Sequence, residues 1–390
     1  MPISCSRPGD VASVLANTVP EWNYADFGIL CAGGVSSGIY PTDSAKQVEY
    51  LINDSSTSVL FVEDDEQLDK ALEVRERCPT LKKIVVFDMK GLRELDDPGV
   101  ISLQALRELG SAYLQQHAGE LERRVQACRP EDLAILVYTS GTTSRPKGCV
   151  HTFNTYCSGA RSLTKAFGYT ESDVQFGPSP ITHTTGLVTS VLLPLLNGAA
   201  THVMAEWEPV RGAAEIARFG CTQAVTATTF LQMLLEAFDP ERDDLSSLRL
   251  WVCAGAPIPR AVVERAHDTL PHLKVLSLYG RSENLMTTTC TVTDATSRAL
   301  NSDGSAMDGH TVAIVDEEGR EVPRGSEGDI AYRGPSHMIG YLGNPEETDA
   351  LFTAAGLSRS GDLGVMDADG FVRVTGRLKD IIIRGGMNIS

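Results

Sequence analysis

Short apolar runs alternate with amphipathic stretches along most of the chain. The runs Val11–Leu15, Val59–Val62 and Ile84–Phe87 each predict a buried strand. Between the first two, Ser44 and Gln47 have the spacing of a capping box at the start of a helix. Strands and helices that alternate at this spacing are typical of a parallel sheet covered by helices.

The first helix is predicted to begin near Glu21, with Thr18 at capping-box spacing before it. Residues 89–130 are charged and partly helical, and we interpret them as a connector. The alternation then resumes with the apolar run Leu133–Val137, and a helix is predicted over Val188–Leu196. This part of the sequence predicts a second α/β block.

The pattern changes near residue 300 to short strands separated by glycine-containing turns. Asp367–Gly370 is typical of a hairpin turn between two of these strands. We therefore predict an α/β protein whose parts are blocks at 1–130 and 131–299, a β-rich subdomain at 300–376, and a short final segment at 377–390.

A polar loop follows the strand predicted at Leu133–Val137. Its sequence, Tyr138 to Gly148, contains hydroxyl side chains, two glycines and Lys147. Small residues allow backbone N–H groups to approach an anion, and a lysine adds a compact positive charge. We interpret the loop as a phosphate-binding loop, and the alternative is a Ser/Thr-rich surface turn. It is not a Walker loop, because no Gly-Lys-Ser/Thr occurs in it.

Composition narrows the choice of partners. The 390 residues include 51 acidic and 34 basic side chains, a formal charge of −17, which argues against a nucleic-acid or anionic-membrane surface. The nine cysteines have no paired spacing and are typical of core residues in a reducing compartment. No apolar stretch is long enough to span a bilayer, and we expect a cytoplasmic protein.

Three further clusters follow predicted strands or precede a helix. His183 lies among hydroxyl residues before a helix, where it lines a pocket or has a structural role. Ala254-Gly255-Ala256-Pro257 and Tyr279-Gly280-Arg281-Ser282-Glu283 each follow a strand. The carboxyl ends of parallel strands bind ligands in α/β proteins, where an aromatic ring suits a base and a carboxylate suits Mg²⁺. The alternatives are a core aromatic and a solvated helix start.

A fourth cluster places Asp362 in a glycine-rich turn, with Arg377 across the predicted hairpin. An aspartate accepts hydrogen bonds from a ribose diol, and an arginine holds a phosphate or a hydroxyl. The alternative is a turn aspartate and a surface arginine.

The segment Gly34–Gly38 fits the G-x-S-x-G pattern of a hydrolase nucleophile elbow. An apolar helix, with no clear strand, is predicted before it. We therefore give this pattern little weight.

Several of these motifs occur in the order found in one enzyme family. The segments 138–148, 279–283, 332–345, 360–363 and 376–386 together resemble the signatures of the adenylate-forming acyl-CoA synthetases. The resemblance covers nearly the whole chain. It implies a large adenylate-forming N-terminal domain over residues 1–376, with 377–390 as a hinge and the stub of a small C-terminal domain.

The resemblance also implies roles for individual residues. The loop Thr139, Ser140, Gly141, Thr142, Thr143 and Lys147 would hold ATP phosphates, with Lys147 as charge partner. Glu283 would bind Mg²⁺, and His183 would lie near the acyl carboxylate. The adenosine site would comprise Gly255, Ala256, Pro257, Tyr279, Gly280, Ser282, Asp362 and Arg377. Lys379 would be the hinge residue, and Gly385 and Gly386 would lie near the path of coenzyme A.

The implied reaction has two steps: a carboxylic acid attacks the α-phosphate of MgATP to give an acyl-adenylate, and the acyl group passes to the thiol of coenzyme A. Ser144 replaces the usual loop glycine of the family, and the C-terminal domain with its adenylation lysine is expected to be missing from this sequence. The alternative is therefore an ATP- and acyl-adenylate-binding remnant with little turnover. Segments such as Ile39–Thr42 and Trp251–Pro257 resemble members that act on apolar acids.

Overall fold

The computed structural model describes residues 8–139, 145–256 and 258–378, and the backbone alone of 382–384 and 387–389. The chain divides into two compact units. The first comprises Met1–Tyr138 with Val150–Phe153, and the second comprises Thr139–Cys149 with Asn154–Ser390. The predicted domain boundaries stay a prediction.

The first unit is a sheet covered by helices. Its strands are β1 (Val11–Leu15), β2 (Val35–Ile39), β3 (Val59–Val62), β4 (Lys83–Val86), β5 (Val100–Ser102), β6 (Leu133–Thr139) and the end of β7 (Lys147–Thr152). Their order is β7-β6-β2-β1-β3-β4-β5, and the pairs from β6 to β5 are parallel. The helices are α1 (Pro20–Cys31), α2 (Ala45–Ser55), α3 (Asp65–Val74), a 3₁₀ turn at Arg75–Arg77, α4 (Leu103–Gln116) and α5 (Glu120–Ala127).

The two predicted helix caps of this unit have different outcomes. The capping box of α2 is confirmed: the Gln47 N–H donates to Ser44 Oγ, and the Ser44 N–H donates to Gln47 Oε1 at 2.9 Å. The capping box predicted for α1 is wrong. Val19 is the N-cap residue and no side chain caps it, because Pro20 already starts the helix with a fixed φ and no N–H to satisfy.

One other interpretation of this unit is confirmed and one is corrected. The G-x-S-x-G pattern carries little weight as a nucleophile elbow, and Gly34–Gly38 is indeed largely the buried strand β2. Residues 89–130 are more than a connector, because they contain β5, α4 and α5. Strand β5 has only three residues, too few for a clear apolar run in the sequence.

The second unit contains two larger sheets. Its strands are β8 (Val174–Gly177), β9 (Ala200–Val203), β10 (Gln223–Ala227), β11 (Leu250–Ala254), β12 (Lys274–Arg281), β13 (Asn284–Thr289), β14 (Ser305–Ala306), β15 (Thr311–Val315), β16 (Glu327–Arg333), β17 (Gly340–Tyr341), β18 (Ser358–Met366) and β19 (Val372–Arg377). One sheet has the order β14-β13-β12-β11-β10-β8-β9, with parallel pairs from β9 to β12 and antiparallel pairs beyond. The other has the antiparallel order β15-β16-β18-β19.

Helices and two short final strands complete this unit. The helices are α6 (Phe153–Ala166), α7 (Thr184–Gly186), a π-helix at Leu187–Leu192, α8 (Leu193–Asn197), α9 (Pro209–Phe219), α10 (Thr228–Ala237), α11 (Arg260–Thr269), α12 (Thr296–Asn301) and α13 (Pro345–Asp349). Strands β20 (Ile382–Arg384) and β21 (Met387–Ile389) pair antiparallel. The single helix predicted over Val188–Leu196 is thus a π-helix followed by α8.

Two predicted loops of the second unit are strands. Tyr279 lies within β12, which turns at Ser282 and Glu283 into antiparallel β13. Asp362 lies within β18, and its register partner on β19 is Arg377. The hairpin turn predicted at Asp367–Gly370 is confirmed, with Gly370 at a φ of 88°. The glycines near Tyr279 and Asp362 predict turns, but tertiary pairing keeps both segments extended.

Helix α1 of the first unit carries a buried carboxyl group, that of Asp26. Asp26 is fully buried, and the Ser36 hydroxyl beside its carboxyl group only partly offsets the lost hydration of the charged form. Burial raises the pKa of Asp26 to about 6, because the charged form loses its hydration. The fold thus favours the protonated form of Asp26.

We predict that Asp26→Asn removes a pH dependence of stability. The native pKa lies above the unfolded value near 3.9, so the free energy of unfolding of the wild type falls as pH rises from about 4 through 6. The wild type should lose on the order of 3 kcal/mol across this window, at about 1.4 kcal/mol per pKa unit. Urea unfolding at pH 4 and pH 8 measures the difference between the two proteins.

Asp173→Asn is the control with the opposite sign. Burial raises the pKa of Asp173, but hydrogen bonds from Arg249 and Thr222 outweigh burial and lower the pKa to about 2. The stabilising contribution of ionised Asp173 is therefore present above pH 4. This variant should lose stability at pH 8 relative to the wild type. Equal pH profiles for Asp26→Asn and the wild type would contradict the prediction.

Candidate functional site

Lys147 is the first residue of β7 and follows the predicted phosphate loop. Thr139 ends β6, whereas Ser140, Gly141, Thr142 and Thr143 lie outside the described residues. The Lys147 ammonium forms an ion pair with Glu347 on α13 and lies 4.8 Å from the centroid of the Tyr341 ring. The structure therefore gives this lysine an anionic and an aromatic neighbour.

Glu283 occupies the turn between β12 and β13. It is 6% exposed, and its Oε1 accepts a hydrogen bond from the Tyr341 hydroxyl at 2.8 Å. Arg281 Nη2 lies 3.4 Å from the same oxygen. Burial alone would raise the pKa of Glu283, but Arg281 and Tyr341 together lower it below its ordinary value. Glu283 is therefore an ionised, buried carboxylate.

A second carboxylate lies on β18. Asp362 Oδ2 accepts a hydrogen bond from the Tyr279 hydroxyl at 2.7 Å, and Asp362 Oδ1 lies 2.6 Å from Arg377 Nε. The predicted proximity of Asp362 and Arg377 is confirmed, since the two are cross-strand neighbours. Tyr279 is also brought to this pair, although the sequence analysis treated it as part of a separate cluster.

Arg281 connects the two carboxylates. Its guanidinium lies 3.4 Å from Glu283 Oε1 and 4.0 Å from Asp362 Oδ2. Tyr279 and Arg281 lie two residues apart in β12, on either side of an irregularity in its pairing with β13, and both reach Asp362. The Arg281 guanidinium thus lies between two groups of residues. One group comprises Lys147, Tyr341 and Glu283, and the other comprises Tyr279, Asp362 and Arg377.

The other residues predicted for the adenosine site follow β11 or lie in and after β12. Gly255 follows β11 with a φ of 81°, Ala256 is half-buried, and Pro257 lies outside the described residues. Gly280 is in β12, where an added Cβ would lie 2.3 Å from the Leu285 carbonyl oxygen, so only glycine permits this strand pairing. Ser282 is half-buried in the β12–β13 turn.

His183 lies on a separate segment. It is the N-cap residue of α7, and its Nδ1 accepts the Thr185 N–H at 3.1 Å. Burial lowers the pKa of His183 to about 4, so the imidazole is neutral at pH 7. Lys379, Gly385 and Gly386 lie outside the described residues.

Several residues of the site were missed by the sequence analysis. Tyr341 and Glu347 contact Lys147 across about 200 positions of sequence, and Arg281 was quoted only as part of a motif. Asp329 on β16 accepts hydrogen bonds from Ser360 and Gly361, beside Asp362. No local pattern marks Glu347. The segment 332–345, already noted in the sequence, was the one available signal for Tyr341.

The part of the chain that the structure describes contains no cluster of side chains that could hold a metal ion without further ligands. No three His, Cys, Asp or Glu side chains there lie close enough together to hold an ion. Mg²⁺ in nucleotide sites is commonly bound by one or two carboxylates together with substrate phosphates and water. The ionised carboxylate of Glu283 fits that kind of site.

The fold is that of the N-terminal domain of adenylate-forming enzymes. The structure of the anthranilate CoA ligase AuaEII in complex with anthranoyl-AMP matches 99% of this chain and 71% of its own, with a TM-score of 0.82 and 26% sequence identity. The amide bond synthetase McbA from Marinactinospora thermotolerans has the same fold, with a TM-score of 0.82 at 24% identity over 99% of this chain and 73% of its own.

The chain belongs to the AMP-binding enzyme family, whose model matches residues 6–342. A medium-chain fatty-acid CoA ligase of Escherichia coli is 31% identical over 92% of this chain. A CoA ligase of Rhodococcus jostii for 3-[(3aS,4S,7aS)-7a-methyl-1,5-dioxo-octahydro-1H-inden-4-yl]propanoate is 30% identical over 98%. The chain spans 61% of the E. coli relative and 72% of the Rhodococcus relative. The resemblance found in the sequence motifs is confirmed at the level of the family.

No helix in the described part of the chain combines the length and the apolar character needed to cross a bilayer.

We predict that the His183 imidazole titrates near pH 4. Because its native pKa lies below the ordinary value near 6.5, the unfolded chain binds a proton that the folded chain rejects between pH 6.5 and 4. Stability contributed by neutral His183 should therefore fall as the pH falls through this window. Histidine ring NMR shifts, assigned by comparison with His183→Gln, measure the midpoint. A midpoint at or above 6.5 would show that the ring is solvated.

Proposed function

We propose that the protein acts as an ATP-dependent acid–thiol ligase. Such an enzyme forms an acyl-adenylate from a carboxylic acid and transfers the acyl group to coenzyme A. Membership of the AMP-binding enzyme family supports this proposal, as do relatives named as CoA ligases. The observation that carries it is the Arg281 guanidinium, which lies between the carboxylates of Glu283 and Asp362. In this proposal, the phosphates of one nucleotide bind on the Glu283 side of Arg281, and its ribose binds on the Asp362 side.

The ribose would bind at Asp362 and Arg377. Asp362 already accepts a hydrogen bond from Tyr279, and its Oδ1 lies 2.6 Å from Arg377 Nε, so it is an acceptor held in place for a diol. The half-buried ring of Tyr279 would contact the adenine, together with the backbone at Gly255, Ala256 and Pro257. Gly280 and Ser282 would complete this part of the site.

The phosphates would bind at the loop from Thr139 to Lys147. The Lys147 ammonium would neutralise the β- and γ-phosphates, and Glu283 would hold Mg²⁺. When bound, Mg²⁺ neutralises phosphate charge as pyrophosphate leaves. Although burial alone would raise the pKa of Glu283, Arg281 and Tyr341 lower it, which keeps the carboxylate ionised for a cation.

His183 would lie near the carboxylate of the acid substrate. Its neutral imidazole presents a hydrogen-bonding nitrogen without adding a charge, because Nδ1 already accepts the Thr185 N–H. Lys379 is assigned as the hinge and Gly385 and Gly386 as part of the coenzyme A path, on the sequence motifs alone.

The acid is proposed to be apolar. The relatives are named for a medium-chain fatty acid and for a ring-containing propanoate, and AuaEII for anthranilate. Hydroxylamine capture of activated acyl groups, with straight-chain, cyclic and aromatic acids, identifies the class. ATP–pyrophosphate exchange with the same acids tests the adenylation step, and exchange with none of them would contradict the proposed activity.

We predict that Lys147→Gln weakens ATP binding selectively. The variant removes the charge that would face the β- and γ-phosphates, so the Kd for ATP should rise roughly tenfold or more, equivalent to about 1.4 kcal/mol. The Kd for AMP should change less than about twofold, because AMP lacks those phosphates. Calorimetric titration measures both constants. Lys165→Gln is the matched control, since Lys165 is an exposed lysine paired with Asp308. Equal losses for ATP and AMP would remove Lys147 from the phosphate site.

We predict that Glu347→Gln strengthens ATP binding. The Glu347 carboxylate pairs with the Lys147 ammonium and is 46% exposed, so a phosphate must displace it. An exposed ion pair contributes roughly 0.2–1 kcal/mol, so the Kd for ATP should fall by a factor of roughly two to five. Glu346→Gln changes the net charge equally on the same short helix and serves as the control. An equal effect of the two variants would indicate bulk electrostatics alone.

A further inference from the structure

Tyr341 forms part of a small buried core beside the proposed phosphate site. It is 8% exposed and packs with Cys149 and Met338. Its backbone N–H donates to Thr348 Oγ1 at 2.9 Å, and the next residue, Leu342, donates its N–H to the Gly148 carbonyl at 2.8 Å. The ring is therefore fixed both by core packing and by the backbone on either side.

The two ends of this side chain contact two different charged residues. The Tyr341 hydroxyl donates to Glu283 Oε1 at 2.8 Å, and the face of the ring lies 4.8 Å from Lys147 Nζ. The two charged residues come from β7 and from the β12–β13 turn. Tyr341 thus touches both the Glu283 carboxylate and the Lys147 ammonium.

We propose that Tyr341 is a positioning residue that sets the orientation of Glu283 toward Mg²⁺ and of Lys147 toward the nucleotide phosphates. This inference rests on the proposed function and deepens it. Tyr341 itself contacts no reacting atom in this assignment. It acts through the two residues that do bind the nucleotide and its cation.

The direction of the hydrogen bond supports this role. Glu283 is ionised and only accepts, so the single hydroxyl proton of Tyr341 is committed to Oε1. Arg281 contacts the same oxygen, and we assign the other oxygen, Oε2, to the cation. A hydrogen bond that fixes one carboxylate oxygen selects the rotamer of the whole group, as outer partners of metal ligands commonly do.

The contact with Lys147 depends on the ring and not on the hydroxyl. The negative face of an aromatic ring attracts an ammonium group, and the attraction strengthens where water is excluded. Glu347 holds the same ammonium from outside the core, with 46% of its side chain exposed. Tyr341 would therefore keep Lys147 in place when a phosphate replaces Glu347.

The test separates the hydroxyl from the ring. Tyr341→Phe keeps the ring and removes only the hydrogen bond to Glu283. The Kd for ATP measured with Mg²⁺ should rise roughly tenfold or more, the usual cost of losing an outer partner of a metal ligand. The Kd for ATP measured with EDTA should change less than about twofold. Tyr341→Leu also removes the ring and should weaken binding in both conditions.

Tyr169→Phe is the matched control. Tyr169 is 5% exposed, and its hydroxyl has no hydrogen-bond partner among the described residues. This variant should leave both constants unchanged. In a Glu283→Gln background, Tyr341→Phe should produce no further Mg²⁺-dependent loss, because the carboxylate that it orients is gone.

Each result of these titrations either supports or overturns the positioning role of Tyr341. A wild-type protein that binds no ATP in either condition overturns the proposed function, and the role of Tyr341 with it. A wild type that binds while Tyr341→Phe binds equally well, or loses affinity equally with and without Mg²⁺, overturns the positioning role alone. If thermal unfolding shows that Tyr341→Phe does not fold, Thr348→Val replaces it. That variant removes the acceptor of the Tyr341 N–H, and the same Mg²⁺-selective loss is expected.

Discussion

The positive charge of Arg281 is the feature on which the candidate site depends. Glu283 and Asp362 are both buried, and a buried carboxylate is costly unless an opposite charge lies beside it. The Arg281 guanidinium lies 3.4 Å from the first and 4.0 Å from the second. Without this cation, Glu283 would lose the neighbouring charge that helps to lower its pKa, and Asp362 would depend on its ion pair with Arg377. With it, both remain available as acceptors.

The backbone around Arg281 is as restrictive as the charge. Strand β12 continues through Gly280 and turns at Glu283 into β13, and a Cβ at Gly280 would lie 2.3 Å from the Leu285 carbonyl oxygen. The close strand pairing sets the spacing of Tyr279, Arg281 and Glu283. The ring of Tyr279 can then reach Asp362, while Glu283 reaches Tyr341 and, through it, Lys147.

An acidic chain with a formal charge of −17 needs local cations to bind a nucleotide. Three cations of the site have carboxylate partners: Lys147 with Glu347, Arg281 with Glu283, and Arg377 with Asp362. These partners keep the cations in place at neutral pH. A bound phosphate must compete with the exposed Glu347, whereas the buried Glu283 and Asp362 remain as ligands for a cation and a diol in the proposed function.

The sequence by itself determined the α/β class, the family, and the pairing of Asp362 with Arg377, because apolar periodicity and turn residues act locally. Tertiary structure decided the rest. Gly280 and Gly361 suggested loops, but strand pairing made both segments extended. Glu347 and Tyr341 reached Lys147 only through folding, since no local pattern specifies a contact across about 200 residues. Local interactions select elements, whereas the partners of a buried charge are chosen by the packing of elements far apart in the chain.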